Sequence, residues 1–208
     1  MTIPKVHLKS EPFPHAIVEN FYSKDELKFI WRELEFLTSP HKMIISGKEI
    51  GTSIDPITNL PKANNHGIIL DAIYPNRQIS DILTISEKLF NSDLLKAFAS
   101  LHPLMRHIQN INNSTTKIKY YENGEYYLGH IDTSRFTSVS YFYKEPKMFE
   151  GGDLCFDEFN YTIPIKNNMM ILFCGAITHS STEIKMNGYD KFSGYGKYAI
   201  TKFLNITE

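Results

Sequence analysis

The chain has 208 residues, of which 42% are apolar and 22% charged, and its formal net charge is -1. A chain of this size and composition can bury one sizeable core, and disorder is not its default state. There is no basic excess to attract a nucleic-acid backbone, and no run approaches the roughly 18 apolar residues that a membrane helix needs.

Residues 1–14 lack the apolar stretch of a secretory leader, so a soluble, cytoplasmic protein is expected. The two cysteines, Cys155 and Cys174, lie in apolar runs without paired spacing. They read as reduced, buried thiols, with a single disulfide between them as the alternative.

The first element is a helix. Ser23 followed by Glu26 forms a capping box, and Leu27, Ile30, Trp31, Leu34 and Leu37 then recur at helical spacing. Residues 38–76 are rich in turn formers, among them Ser39-Pro40, Asp55-Pro56 and Tyr74-Pro75, with one short strand expected at Ile68, Ile69 and Leu70. A connection of this length is usually functional or internally structured. A helical period returns over 79–90, and a further helix is expected over 93–101, closed by His102-Pro103.

From Lys117 onward the pattern is β. Strands are predicted at 116–121, 126–131, 136–143, 153–157, 161–165, 169–173 and 197–205, with a hairpin at Asn123-Gly124 and turns at Gly151-Gly152 and Asn167-Asn168. Adjacent glycines permit positive φ, so that pair has a backbone explanation and no catalytic role is assigned to it. The fold class is therefore α+β with a mainly β core. A single domain over 1–208 is expected, with 1–111 as a helical and loop support region and 112–208 as a jelly-roll core with helices packed on one sheet.

The chemistry concentrates at His130-Ile131-Asp132. On an extended segment, residues two apart point to the same side, so one imidazole and one carboxylate can reach one ion. His179 follows a strand-like run and a short turn, and offers a second imidazole. Two histidines and one carboxylate leave about three open positions on an octahedral iron, the facial arrangement of non-haem Fe(II) oxygenases. The other six histidines, His7, His15, His41, His66, His102 and His107, have no partner at ligand spacing and read as solvated or core residues.

Residues 120–204 resemble the prolyl-hydroxylase-like branch of the 2-oxoglutarate/Fe(II)-dependent dioxygenases, through motifs that fall in order. Tyr121, Gly124, Tyr127, His130 and Asp132 match Y-x-x-G-x-x-Y-x-x-H-x-D. The stretch from Arg135 to Phe142 looks like the next core strand, and Gly151-Gly152-Asp153-Leu154-Cys155-Phe156 is similar to the GG-x-L-x-F hairpin. Ile163-Pro164 with Met170 to Phe173 resembles the run before the distal histidine, and Lys197 to Thr201 the closing strand. Residues 12–27 are similar to the start of such enzymes.

The resemblance implies iron ligation by His130, Asp132 and His179, with 2-oxoglutarate and O₂ as co-substrates, and it leaves ascorbate open as an accessory reductant. The distal carboxylate of 2-oxoglutarate needs a buried cation, and Lys197 matches the family's position. Lysine is a point charge, so a hydroxyl is expected to complete the grip. Tyr141, Thr201, Tyr121 and Tyr127 match positions around that pocket, although packed tyrosines at a barrel mouth are an equal reading for the last two. The gap from His179 to Lys197 exceeds the family's usual spacing, which implies an inserted loop over 183–195 and leaves Lys185 or Lys191 as alternative anchors. Arg135 is the remaining cation near the metal motif and is assigned to orienting substrate or the Asp132 loop, with a solvated side chain as an equal alternative.

The implied reaction is hydroxylation of an unactivated C–H bond, by analogy that of a prolyl residue in a peptide or protein substrate, with release of succinate and CO₂. Segments 38–76 and 180–196 are the candidate lids. Two other readings fit some of the same residues. One is a zinc hydrolase using the same three ligands; the other is a non-catalytic jelly roll that binds peptide or sugar.

Overall fold

A computed structural model of the protein describes residues 3–90, 93–188 and 190–207. In chain order its strands are β1 (Lys5–Lys9), β2 (His15–Glu19), β3 (Ile44–Ile45), β4 (Ala63–Asn64), β5 (His66–Ile69), β6 (Asn113–Tyr121), β7 (Tyr126–His130), β8 (Phe136–Phe142), β9 (Glu150–Gly151), β10 (Leu154–Phe156), β11 (Tyr161–Ile163), β12 (Met169–Cys174), β13 (His179–Ser181), β14 (Ile184–Lys185) and β15 (Lys197–Asn205). They form an eight-stranded sheet in the order β1-β2-β12-β8-β15-β6-β5-β3 and a five-stranded sheet in the order β11-β10-β13-β7-β4, with β14 and β9 paired apart. The pairings are antiparallel. Two facing sheets of this kind are the expected jelly roll.

The central strands of the larger sheet are buried on both faces, while its edge strands β1 and β3 are largely exposed, and residue parity decides which core each central side chain enters. On β15, Tyr198, Ile200 and Leu204 face the helices, whereas Ala199 faces the smaller sheet. On β6, Ile118 and Tyr120 join the helical side and Tyr121 the inter-sheet side. A strand buried on both faces carries apolar residues at either parity. That explains the near-continuous burial of β8 and β12.

The helical layer starts with α1 (Lys24–Leu37), whose capping box is formed: Glu26 N–H donates to Ser23 Oγ at 3.3 Å and Ser23 N–H to Glu26 Oε2 at 2.6 Å. Ile30, Leu34 and Leu37 enter the core. Glu33, on the same buried face, accepts from Ser80 Oγ at 2.8 Å and from Ile82 N–H at 2.7 Å. It thereby satisfies free donors at the start of the helix Asp81–Ser86 and fixes that helix against α1.

The structure departs from the sequence reading in five ways. Residues before 112 are more than a support region, because β1, β2, β3 and β5 belong to the larger sheet and β4 to the smaller. Leu70 begins a one-turn helix (Leu70–Ile73) instead of ending a strand. The helical stretch expected over 79–90 breaks into Asp81–Ser86 flanked by 3₁₀ turns, and after Asp93–Ser100 the chain continues as a 3₁₀ helix, Pro103–Asn110. Asn123-Gly124 is a turn, but β6 and β7 lie in different sheets and do not pair. The turn is held by Asn123 Oδ1 accepting from Met186 N–H and by Gly124 N–H donating to the Ile184 carbonyl, both at 2.8 Å. It therefore carries the chain across the sandwich. Cys155 and Cys174 have free thiols and are half-buried, not buried.

Candidate active site

Strand pairing brings the two distant histidines together. His130 closes β7, His179 opens β13, and the two are direct cross-strand partners in the smaller sheet, with ring centroids 4.3 Å apart. Asp132 lies two residues past His130, on the same side, while the intervening Ile131 is exposed. The Asp132 backbone N–H donates to the Gly175 carbonyl at 2.9 Å, which ties the segment after β7 to the turn before β13.

One potential ligand atom from each of the three side chains lies within 4.8 Å of the others. Asp132 Oδ1 is 3.7 Å from His130 Nε2, and Asp132 Oδ2 is 3.5 Å from His179 Nε2. Both rings are oriented alike. His130 Nδ1 donates to the Leu128 carbonyl and His179 Nδ1 to the Ile177 carbonyl, each at 2.9 Å, so in both rings it is Nε2 that is left to face Asp132. Such a bond from the remote ring nitrogen is the usual support for a metal-binding histidine.

Burial, reinforced by the adjacent His179, pulls His130 down to about 3, so the ring is neutral and ligand-competent at neutral pH. Tyr127 stacks on His130 with 3.6 Å between centroids and 7° between planes. Thr137 donates its hydroxyl to Asp132 Oδ2 at 2.5 Å, and Ser134 Oγ lies 3.1 Å from the Thr137 oxygen. The donor set thus holds two imidazoles and one oriented carboxylate, which suits a divalent metal ion with open positions.

These ligands line a cavity of about 500 Å³ between the two sheets, within the usual size of small-molecule sites. Its walls include Tyr121, Tyr127, Val139, Tyr141, Leu154, Phe173, Ala199 and Thr201. Lys197 sits in this cavity with 1% of its surface exposed. Its ammonium donates to the Gly152 carbonyl at 3.0 Å and to Ser181 Oγ at 2.5 Å. It also lies 3.8 Å from the centroid of the Tyr121 ring and 5.7 Å from that of Tyr141. Burial lowers this ammonium to about 7, partly offset by Asp153.

Lys185 and Lys191 are exposed and do not line the cavity, and neither does Arg135, whose side chain is also exposed. The Arg135 backbone, by contrast, bonds Leu204 and Gly175. Of the expected insert, Ile184–Lys185 pairs with Glu150–Gly151, and Phe192 stacks on Tyr120 with centroids 6.1 Å apart; Tyr189 lies outside the described residues. From the other candidate lid, Gly51, Thr52, Ser53 and Ile69 reach the cavity wall.

Sequence reading missed several residues here. Thr137 went unassigned although it lies five residues past Asp132 at the start of the next strand. Gly152 matters through its carbonyl, which no side-chain pattern announces. Lys117 and Lys119 are buried and line the cavity, although lysines in a strand ordinarily read as a solvent face. The six unassigned histidines lie outside the metal cluster. His15 is buried and bonded to the Phe13 carbonyl and the Tyr161 hydroxyl, His66 is half-buried, and the other four are exposed.

No family profile and no curated protein matches the sequence. The fold, however, is shared with solved structures. A Pseudomonas putida prolyl-4-hydroxylase superposes with a TM-score of 0.57 at 14% identity, covering 92% of each chain. A collagen prolyl hydroxylase of Paramecium Bursaria Chlorella virus-1, solved with 2-oxoglutarate, gives 0.55 at 13% identity over 93% of this chain and 96% of that one. An α-ketoglutarate-dependent carbocyclase from nogalamycin biosynthesis gives 0.50 at 9% identity over 92% of this chain and 79% of that one. At these identities the likeness establishes the fold: the jelly roll used by 2-oxoglutarate/Fe(II) oxygenases.

Proposed function

We propose that the protein is an Fe(II)- and 2-oxoglutarate-dependent dioxygenase that hydroxylates an unactivated C–H bond, with a prolyl residue of a peptide or protein as the first candidate substrate. The observation that carries this reading is one cavity lined both by the His130, Asp132 and His179 cluster and by the fully buried ammonium of Lys197. A zinc hydrolase has no use for that cation. The prolyl assignment draws on the two prolyl hydroxylases that share the fold.

Bound iron with the keto acid and O₂ would supply the oxidation, in which substrate C–H, O₂ and 2-oxoglutarate become C–OH, succinate and CO₂. The residues provide everything else. His130 and His179 present their Nε2 atoms, and His130, neutral through burial, needs to lose no proton first. Thr137 holds the Asp132 carboxylate in one orientation, beside the two imidazoles that would hold the metal with it. Lys197 neutralises the distal carboxylate of 2-oxoglutarate, and the Ser181 and Tyr121 hydroxyls line the same region. Leu154, paired with Ser181, and Ala199, two residues from Lys197 along β15, give that end apolar walls that exclude water and strengthen the ion pair.

Succinate release from 2-oxoglutarate, measured with Fe(II) and O₂, tests the activity. Wild type should turn over and His130→Ala and Asp132→Ala should not. Equal rates in all three would remove the reading, and hydrolysis that depends on zinc but not on 2-oxoglutarate would replace it. A gain of one oxygen in candidate peptides, read by mass spectrometry, tests the prolyl assignment separately.

A further inference from the structure

The inward row of β6 runs Thr115, Lys117, Lys119, Tyr121, and all four line the cavity. Thr115 is exposed, so it marks the mouth, while Tyr121 is paired directly with Lys197 and marks the deep end. Lys117 is paired with Thr201, four residues from Lys197 along β15. At about 3.3 Å per residue, the backbone positions of the two cations are about 13 Å apart. Lys117 therefore belongs to the mouth half of the cavity.

The two β6 lysines differ in how they are satisfied. The Lys119 ammonium has three acceptors, Ser46 Oγ at 2.8 Å, Asn65 Oδ1 at 3.0 Å and Thr52 Oγ1 at 3.4 Å. It pins segment 46–65 to the sheet and is fully used. Lys117 is 6% exposed, and its one acceptor among the described residues is the Gly51 carbonyl at 3.1 Å. An ammonium has three donors, so two remain free inside the cavity. A buried cation in that condition is unfavourable unless something else meets it.

2-Oxoglutarate does not fill the cavity. Its ten non-hydrogen atoms, even at the ~30 Å³ that a water molecule occupies in the liquid, take up about 300 Å³. That leaves space in a cavity of about 500 Å³ whose lining includes Lys117. Apart from the Asp132 carboxylate, which makes no ion pair with Lys117 among the described residues, the lining near it is neutral or apolar: Thr115, Thr201, Ile69 and Phe203 line the cavity, and the Phe203 ring centroid is 5.1 Å from the Lys117 ammonium. Burial lowers this ammonium to about 8, partly offset by Asp132.

We propose, resting on the dioxygenase reading, that Lys117 is a substrate-anchoring residue and that the substrate carries an anionic group, a carboxylate or a phosphate, close to the C–H bond that is oxidised. In a prolyl substrate that group is the substrate's own terminal carboxylate or an acidic neighbour. Thr115 and Thr201 flank Lys117 on its own strand and on β15, and supply hydroxyls for the remaining oxygens.

The test uses the full chain loaded with Mn(II) and 2-oxoglutarate without O₂. The probes are matched pairs: N-acetylproline and N-acetylprolinamide, N-acetylglycine and its amide, glycerol 3-phosphate and glycerol. At least one acid should bind tenfold or more tightly than its neutral partner, and the preference should vanish in Lys117→Met and persist in Lys117→Arg. The pairs also separate carboxylate from phosphate. A readout that needs no variant is acetylation of Lys117 by acetic anhydride, which the tighter acid should slow at least fivefold while its neutral partner does not. If no acid is preferred, or the preference survives in Lys117→Met, or Lys117 is not protected, the proposal is wrong while the dioxygenase reading stands. If 2-oxoglutarate itself fails to bind the metal-loaded wild type, both fall.

Discussion

Replacing Lys197 with methionine should make the metal-free protein more stable and leave it unable to hold 2-oxoglutarate. A fall from 10.5 to about 7 corresponds to a burial cost on the charged form of about 5 kcal/mol. The cost applies in full below pH 7 and disappears as pH rises from 7 toward 10.5, because there the unfolded chain keeps a proton that the folded protein has released. Methionine removes the cost and keeps much of the volume. It also leaves the Gly152 carbonyl and Ser181 Oγ without their donor, at about 1 kcal/mol each. The net expectation is a gain of about 3 kcal/mol at pH 6.5. For 2-oxoglutarate, losing one partner of a buried charge pair costs about 2–5 kcal/mol, or about thirtyfold to a few thousandfold in affinity. Urea denaturation of the metal-free protein and anaerobic calorimetric titration of the Mn(II)-loaded form measure the two effects. A variant that is less stable than wild type, or that binds 2-oxoglutarate within threefold of it, would refute the reasoning.

Other expectations follow from the same contacts. Thr137→Val removes the donor to Asp132 Oδ2 and should weaken Mn(II) binding by about 10–100-fold, with recovery in Thr137→Ser; equal affinity in all three would show that the carboxylate needs no support. His130 is held at about 3, below its unfolded value of 6.5, so the unfolded chain takes up this proton first and stability is lost as pH falls through that window. Between pH 6.5 and 4.5, metal-free wild type should lose about 2–3 kcal/mol more than His130→Phe, and parallel losses would contradict the burial argument. Gly152 has φ +75°, and a Cβ there would sit 2.5 Å from Ile184 Cδ1 and 3.1 Å from Lys197 Cδ. Gly152→Ala should therefore cost about 1–3 kcal/mol of stability and weaken 2-oxoglutarate binding as well, read by the same two assays.

The β core and the His130–Asp132 spacing were legible because each follows from local periodicity, whereas His179 was placed by the family resemblance and meets them through the pairing of β7 with β13. Seven predicted strands lie within a few residues of β6, β7, β8, β10, β11, β12 and β15, where alternation or continuous apolar runs are strong. The H-x-D spacing placed His130 and Asp132 on one side because the chain stays extended there. Strands β1 and β2 were missed because five-residue segments next to prolines carry little period, and they are strands through pairing with each other and with β12. The Asn123-Gly124 turn was legible as a turn, but whether its arms pair is decided by sheet assignment, which is a long-range property. Lys117 and Lys119 show the same limit at the site. Their burial arises from β5, β15 and segment 46–65 closing around β6, and nothing in N-S-T-T-K-I-K-Y-Y distinguishes them from solvent-facing lysines.

The most direct test is a crystal structure of the protein with Mn(II) and 2-oxoglutarate, with the metal located by its anomalous signal. One peak should lie within bonding distance of His130 Nε2, His179 Nε2 and an Asp132 carboxylate oxygen, with the far carboxylate of the keto acid on the Lys197 ammonium. A metal bound elsewhere, or a keto acid that leaves Lys197 without a carboxylate, would contradict the account.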